Sequence, residues 1–469
     1  MDKVSKDNLF IPASVVILLT LLIGFTPIPS DPDLWFHLAD GDYILKHGQV
    51  PQADTFSFTK TGELWVPHSW LFDVATTLSW RHLGPRSTEG IMAFVFMSTM
   101  LISFNLLTWR GINPLAAAGI CVWLAVAAGN TRGIRPQVFT LLLCNVVLFL
   151  LVRHRDQPRR RLLIYLPLIF LIWAQLHSAC VMGLIVAAIW LAGRAFDTWR
   201  SRSVRTTAHE LLIGVEALAL SAVAVLITPH AITHFHYVAL TMNLEELKLA
   251  GEWQMPQLFP PAVPDIHAYL LIAVVAALLI WRRRRPGWAE LGLCGSLVLL
   301  ALTGLRHIPL AAIASVPFIA EVLAKRGTRA SADLHQSRNY PSRGLQPART
   351  SAQPATCGSF RPVAVLTGLA VLLLLVSWEH PTAIQDRYAQ EEPVNGARAL
   401  RRLVQPLRVF TTYNTGSYIL WTAPEHLRVF VDSRADLYGD EVLFGARRAM
   451  NGQGWQVLFD HWGVDGAVV

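Results

Sequence analysis

Eleven apolar stretches run through the sequence and constrain its fold more than any other feature. A helix that crosses a bilayer needs about 20 mostly apolar residues, and sometimes as few as ~17. Only 15% of the 469 residues are charged and the mean hydropathy is +0.40, which excludes a cytosolic enzyme. We therefore predict an α-helical polytopic membrane protein with about 11 transmembrane helices. The predicted spans are residues 9–28, 88–109, 113–128, 136–152, 162–174, 178–196, 210–228, 267–281, 288–303, 307–323 and 363–378.

The distribution of Lys and Arg predicts the orientation of these spans. With the N-terminus in the cytoplasm, the inner segments hold 23 basic residues and the short outer segments hold 8. Cytoplasmic loops of membrane proteins carry such an excess. We therefore predict a multi-pass protein of the plasma (inner) membrane whose N-terminus is cytoplasmic. The net charge of +8 follows from these loops and does not indicate a nucleic-acid partner.

The composition changes after residue 378 and divides the chain into two predicted domains. Residues 1–378 form the transmembrane domain, with an acidic outer loop at 29–87 and a disordered cytoplasmic linker at 324–362. Residues 379–469 form a small extracytoplasmic α/β domain. Its predicted strands are 408–413, 417–421, 428–432 and 464–469, and its predicted helices are 391–403 and 440–450. The last strand has nothing after it, which leaves open that this domain is truncated.

The outer loop is densely acidic, and an amphipathic surface helix is predicted at residues 67–83. In a helix that starts at Pro32, the side chains of Asp33, His37 and Asp40 lie on one face. Such a set could hold a divalent metal (Mg or Mn) through Asp33 and Asp40, or it could supply a general base. The alternative is that Asp31 and Asp33 only stabilise the start of the helix.

Fragments spread along nearly the whole chain form a recognisable pattern. They include Asp31-Pro32-Asp33-Leu34-Trp35-Phe36-His37-Leu38, Arg135-Pro136, His177, Glu252-Trp253, Arg306-His307 and Val431-Asp432-Ser433-Arg434. With these fragments the sequence resembles a bacterial group of GT-C superfamily glycosyltransferases, which are distant relatives of the protein O-mannosyltransferases and the aminoarabinose transferases. One position departs from the pattern, since Ser69 stands where an acidic residue is expected.

The resemblance implies a GT-C-like membrane glycosyltransferase. Its donor would be a polyprenyl-phosphate sugar, and its acceptor an envelope glycan, a lipid or a protein. Chemically, such a transfer needs a carboxylate that takes a proton and positive charge near the departing phosphate. We predict Asp33, Asp31 and His37 as catalytic residues. The predicted substrate-binding residues are Arg135, Arg306, His307, Arg132, His68 and Trp35.

Simpler roles remain open for several of these residues, and other classes of protein remain open for the chain. The arginines could be interfacial anchors that reach lipid headgroups, and Trp35 could anchor its helix at the interface. The chain could also be a transporter or flippase for a lipid-linked envelope precursor, or a non-catalytic assembly partner. A transporter usually has ionisable groups at mid-membrane. Here the spans are clean apart from Glu216, which we expect to face protein or a cavity.

Overall fold

A computed structural model describes residues 7–25, 31–201, 205–233, 239, 243–248, 251–259, 263–281, 285–324, 392–403, 405–422 and 427–469. The predicted span at 363–378 and the predicted linker after Ala324 lie outside these residues. The helices of the first part are α1 (Asp7–Phe25), α2 (Pro32–His47), α3 (Trp70–Leu83), α4 (Pro85–Trp109), α5 (Pro114–Ala127), α6 (Gln137–Asp156), α7 (Leu162–Leu176), α8 (Cys180–Ser201), α9 (Arg205–Val225), α10 (Glu245–Lys248), α11 (Val263–Trp281), α12 (Trp288–Ala301) and α13 (Ile308–Leu323).

Ten of the eleven predicted spans correspond to helices of the described chain, namely α1, α4 to α9 and α11 to α13. Among the described residues, five helices are long and apolar enough to cross a membrane by length and composition. Five shorter apolar helices accompany them. The chain is therefore mostly helical and suited to a membrane, whereas the number of eleven crossings stays a prediction.

The apolar core of the bundle surrounds α13. Every residue from Ile308 to Val322 is buried, and several are alanines that let neighbouring helices approach closely. Glu216 on α9 is exposed in the structure. The expectation that its side chain packs against protein is therefore wrong, because the buried side of α9 carries Ile213, Ala217 and Ala224 instead.

An ion-pair cluster lies at the end of α6 that is remote from the acidic loop. Arg155 is buried and pairs with Glu290 and with Glu321, the latter at 3.3 Å. Arg110 joins the cluster through Asp156 at 3.1 Å. The sequence suggests only a topological role for the basic run that contains Arg155. In the structure this arginine also ties α6 to the ends of α12 and α13.

The acidic loop forms two helices that pack closely against each other. Asp31 caps α2 by accepting a hydrogen bond from the backbone N–H of Asp33, Pro32 occupies the first turn, and Gly48 ends the helix with a φ of 69°. Helix α3 crosses α2 at Gly41, where an added Cβ would lie 2.4 Å from the carbonyl oxygen of Asp73. Only glycine permits this approach, which brings side chains of α2 and α3 together.

The C-terminal residues fold into a small α/β unit with a parallel three-stranded sheet of order β2-β1-β3. A bridge between Ser57 and Val429 places the acidic loop beside β2. The elements of the unit are α14 (Val394–Leu400), β1 (Leu407–Thr411), α15 (Tyr413–Thr422), β2 (Leu427–Val429), α16 (Ala435–Met450), α17 (Trp455–Trp462) and β3 (Gly466–Val468). The unit therefore sits directly on the loop that carries the predicted site.

The predicted strand at 417–421 is wrong, because this segment belongs to helix α15. Thr412 and Thr415 exchange hydrogen bonds between side chain and backbone, which stabilises the start of the helix. Gly416 lets the helix approach the end of the second strand, since a Cβ there would lie 1.9 Å from the carbonyl oxygen of Val431. These contacts outweigh the alternating pattern that suggested a strand.

Candidate active site

The carboxylate of Asp33 lies at the centre of the candidate site, in the first turn of α2. Burial raises its pKa from the ordinary value to about 7, the neighbouring charge of Asp31 adds to the rise, and Arg135 and His37 oppose it. Asp33 is half-buried, in contrast to the enclosed Asp40 and Asp73. A carboxylate with a pKa close to neutral can take up and release a proton near physiological pH.

His37 and Asp73 form a buried pair behind Asp33. Nδ1 of His37 lies 2.6 Å from Oδ1 of Asp73, and the Ser69 hydroxyl donates to the same oxygen at 3.0 Å. Burial lowers the pKa of His37 to about 4, so its imidazole is neutral at pH 7. The sequence does not single out Asp73, although the departure at Ser69, where an acidic residue is expected, is a signal. The carboxylate of Asp73, one helical turn later, accepts a hydrogen bond from the Ser69 hydroxyl.

Asp40 is buried deeper in the loop and lies away from Asp33. It is 1% exposed, and the side chain of Trp65 lies beside its carboxylate. Burial raises its pKa well above the usual range, and the charges of Asp73 and Asp432 add to this rise while Arg434 opposes it. Burial therefore disfavours the charged form of Asp40 relative to an exposed carboxylate.

The residues of the loop do not fit the predicted metal site. Across the described ranges, no three His, Cys, Asp or Glu side chains are grouped as metal ligands would be. Asp33 faces Arg135 and Asp31, whereas Asp40 faces Arg434 and Asp73. Asp33 and Asp40 therefore have different charged neighbours, and no step of the proposed reaction involves a divalent ion.

Two of the predicted phosphate-binding arginines converge on a single carboxylate. Arg135, just before α6, donates to Asp31 and to Glu252, the latter at 3.1 Å. Arg306, just before α13, lies 3.8 Å from the other oxygen of Glu252. Its guanidinium also stacks on the Trp253 ring at 3.8 Å from the centroid. Glu252 therefore connects two arginines that precede different helices.

The other predicted substrate-binding residues lie in different surroundings. Arg132 donates to the backbone carbonyls of Gly129 and Ile23, which fixes it as a tie between helices rather than as a phosphate ligand. His307 follows Arg306 directly and is half-buried. His68 is half-buried too, with its ring 6.1 Å from that of His177.

Trp35 is a packing residue. It is 1% exposed, stacks on Trp421 with ring centroids 5.0 Å apart, and donates its indole N–H to Glu392 at 2.7 Å. A ring enclosed in this way presents no face to a sugar or to the membrane interface. Both predicted roles for Trp35 are therefore wrong. Its contacts hold α2 against the C-terminal unit.

The C-terminal unit contributes side chains to the site that spacing could not place there. The Ser433 hydroxyl faces the carboxylate of Asp33 and lowers its pKa. Burial raises the pKa of the Tyr413 hydroxyl well above its usual range. The nearby charges of Asp33, Glu252 and Asp31 raise this pKa further. The candidate site is therefore shared between the acidic loop and the C-terminal unit.

A buried ionic network joins these two parts. Arg434 donates to Asp432 at 2.7 Å and to Asp54 of the acidic loop at 2.9 Å. The Tyr438 hydroxyl donates to Asp432 at 2.6 Å. All of these side chains are almost fully enclosed. From the sequence, these residues after the strand could line an acceptor surface or form a strand-end turn with a local ion pair, and neither interpretation includes the partner in the loop.

Comparison with known structures defines the class of fold. The chain is similar to the crystal structure of the Archaeoglobus fulgidus oligosaccharyltransferase in its apo form, with a TM-score of 0.52 and 14% sequence identity. The similarity covers 91% of this chain and 64% of that one, so this chain spans less than two thirds of that enzyme. No protein-family model and no curated protein matches the chain.

The structural likeness agrees with the general prediction of a mostly helical fold, and the described residues include five helices that are long and apolar enough to cross a membrane. At this level of identity the likeness extends to the fold alone. The bacterial group and the particular relatives suggested by the loop motif therefore stay predictions.

Proposed function

We propose that the protein is a membrane glycosyltransferase that uses a polyprenyl-phosphate sugar. An acceptor hydroxyl attacks the anomeric carbon, and the bond between that carbon and the phosphate oxygen breaks. Asp33 takes the proton of the hydroxyl, and the polyprenyl phosphate leaves with the electron pair of the broken bond. The acceptor is an envelope glycan, a lipid or a protein that carries such a hydroxyl.

One observation carries this proposal. A half-buried carboxylate with a pKa of about 7 lies beside a pair of arginines that meet at the ends of two apolar helices. Asp31 links the two features, since it accepts a hydrogen bond from the Asp33 backbone and pairs with Arg135. A base and a positively charged phosphate site side by side are what this transfer requires. Arginine suits the phosphate because its planar fork donates two parallel hydrogen bonds.

The decisive experiment uses purified protein in lipid and a panel of radiolabelled polyprenyl-phosphate sugars, with membrane extracts as the source of acceptor. Label that moves from the donor to an acceptor supports the proposal. Uptake of intact donor across a vesicle membrane, with no transfer, would instead indicate the transporter or flippase. Neither transfer nor uptake with any member of the panel would indicate a non-catalytic partner.

The proposal requires that the site faces outward, and cysteine labelling tests this. We expect the variants Lys46→Cys, on the acidic loop, and Gln157→Cys, in the basic turn after α6, to react oppositely with an impermeant reagent. Both positions are exposed, and the described native cysteines are buried. In a background without the five native cysteines, Lys46→Cys should label from outside and Gln157→Cys only after lysis. Labelling of both in intact cells would contradict the cytoplasmic N-terminus.

Conservative replacement of the two arginines separates a phosphate site from interfacial anchors. We expect Arg135→Ala and Arg306→Ala to lower donor turnover by about 10²-fold, as loss of a donor to developing negative charge does. Lysine keeps the charge and loses the fork, so Arg135→Lys and Arg306→Lys should recover only part of the activity.

Arg81→Lys is the matched control for these variants, since Arg81 pairs with Asp42 on the surface of the acidic loop. It should keep full turnover. Full turnover in all the lysine variants would mean that these arginines only anchor the helices, because both side chains can reach lipid headgroups.

A further inference from the structure

The two arginines of the candidate phosphate site already hold an anion of the protein itself. The two oxygens of the Glu252 carboxylate divide between them, with Oε2 3.1 Å from Arg135 and Oε1 3.8 Å from Arg306. A carboxylate held by two arginines from separate helices occupies the position that a phosphate would need. Donor and Glu252 therefore compete for the same guanidinium groups.

The two acidic partners of Arg135 differ in how firmly they are held. Asp31 is fixed as the cap of α2, because its other oxygen accepts the backbone N–H of Asp33 at 3.2 Å. Its side chain is 11% exposed. The Glu252 side chain belongs to a short turn at 251–253 and is 41% exposed. Glu252 is therefore the partner that can leave.

The arginines stay in place when the carboxylate leaves. Arg306 rests on the ring of Trp253, and Arg135 keeps its ion pair with Asp31. The turn itself is fixed to the start of α13, since Leu305 donates its backbone N–H to the carbonyl of Gln254 at 3.0 Å. Rotation of the Glu252 side chain into solvent is enough to vacate the site, with no movement of the loop.

We propose that Glu252 is a positioning residue that occupies the phosphate site of the free protein and is displaced by the phosphate of the lipid donor. This inference rests on the proposed function and adds the exchange of one anion for another. In the free protein the carboxylate neutralises two neighbouring positive charges and keeps both forks aligned. In the complex the phosphate takes over this role.

The test measures the affinity of the purified protein in lipid nanodiscs for farnesyl phosphate, a short polyprenyl phosphate, by titration calorimetry. Glu252→Gln keeps the shape of the side chain and removes the competing charge. Because partly exposed ion pairs are weak, we expect farnesyl phosphate to bind roughly three- to tenfold more tightly. Glu252→Asp keeps the competing charge. It should therefore bind farnesyl phosphate about as well as the wild type and more weakly than Glu252→Gln.

Glu246→Gln is the matched control. This residue precedes the same turn and pairs with Arg447 of the C-terminal unit, away from the two arginines. Its variant loses the same charge from the same surface, and its affinity for farnesyl phosphate should stay within about twofold of wild type, since it lacks the direct competition. Equal tightening in both variants would mean a general charge effect and would overturn the inference.

The arginine variants separate the failure of this inference from the failure of the proposed function. If Arg135→Ala and Arg306→Ala weaken farnesyl phosphate binding but Glu252→Gln leaves it unchanged or weaker, the phosphate site stands and the displacement does not. If neither alanine variant alters binding, the phosphate site itself is wrong, and the inference falls with it. A purely structural role of Glu252 would weaken binding in Glu252→Gln, which is the opposite of the expected result.

Discussion

Asp33→Asn is expected to lower sugar transfer by about 10³-fold, within the range of 10²–10⁴ that a positioned general base contributes. Asparagine has nearly the same shape and is favourable near a helix start, so α2 should form as before. It cannot take the proton of the acceptor hydroxyl. The measurement is the initial rate of transfer from a labelled donor, together with the apparent melting temperature of each variant in detergent.

The control for this variant is Asp42→Asn on the same helix. Asp42 forms a surface ion pair with Arg81 and lies outside the site. This variant should keep near-normal turnover and should melt close to the wild type. A similar rate in Asp33→Asn and Asp42→Asn would rule out Asp33 as the base.

The pH dependence of the rate gives a second view of the same group. A base acts when it is deprotonated, so the rate should rise with pH through about 7 and level off above, because the pKa of Asp33 is raised to about 7. His37 is neutral throughout this range, since its pKa is lowered to about 4. Asp31→Asn removes a negative charge that raises the pKa of Asp33. The increase of the residual rate with pH should therefore shift to lower pH in this variant. A rate that is flat between pH 6 and 8 would contradict this assignment.

The local parts of this structure follow from the sequence. Apolar runs predict ten of the helices in the described chain, because burial of such a run dictates a helix wherever the surroundings are apolar. The start of α2 is equally local, since an aspartate followed by proline caps a helix whatever lies around it. The position of Arg135 and Arg306 at the ends of apolar runs brings both to the same face of the bundle.

The contacts that complete the site are not local, and spacing cannot supply them. His37 meets Asp73 across 36 positions, Arg135 meets Glu252 across 117, and Arg434 meets Asp54 across 380. Each pairing depends on how whole elements pack, as at Gly41, where the missing side chain lets α2 and α3 touch. Trp35 shows the same limit. Its place in the motif suggested an exposed role, and the packing of the C-terminal unit encloses it.

The largest effect on stability is expected from Arg434, which holds the C-terminal unit on the acidic loop. Arg434→Met fills a similar volume but leaves Asp432 and Asp54 buried without their cation. Breaking a buried ion pair in this way costs about 3–5 kcal/mol. We expect a markedly lower melting temperature and rapid proteolysis between the two parts. Transfer should fall as well, because Ser433 would lose its place beside Asp33.

Arg448→Met is the matched control, since Arg448 is exposed on α16 of the same unit. This variant should melt within about a degree or two of wild type, because exposed charges contribute little.

A second variant tests the cause of the lost stability. Arg434→Met combined with Asp432→Asn and Asp54→Asn removes all three charges, so it should recover a substantial part of the lost stability. If the triple variant is as unstable as Arg434→Met, the loss comes from packing of the long side chain rather than from stranded carboxylates. If Arg434→Met melts like wild type, the network does not hold the unit on the loop.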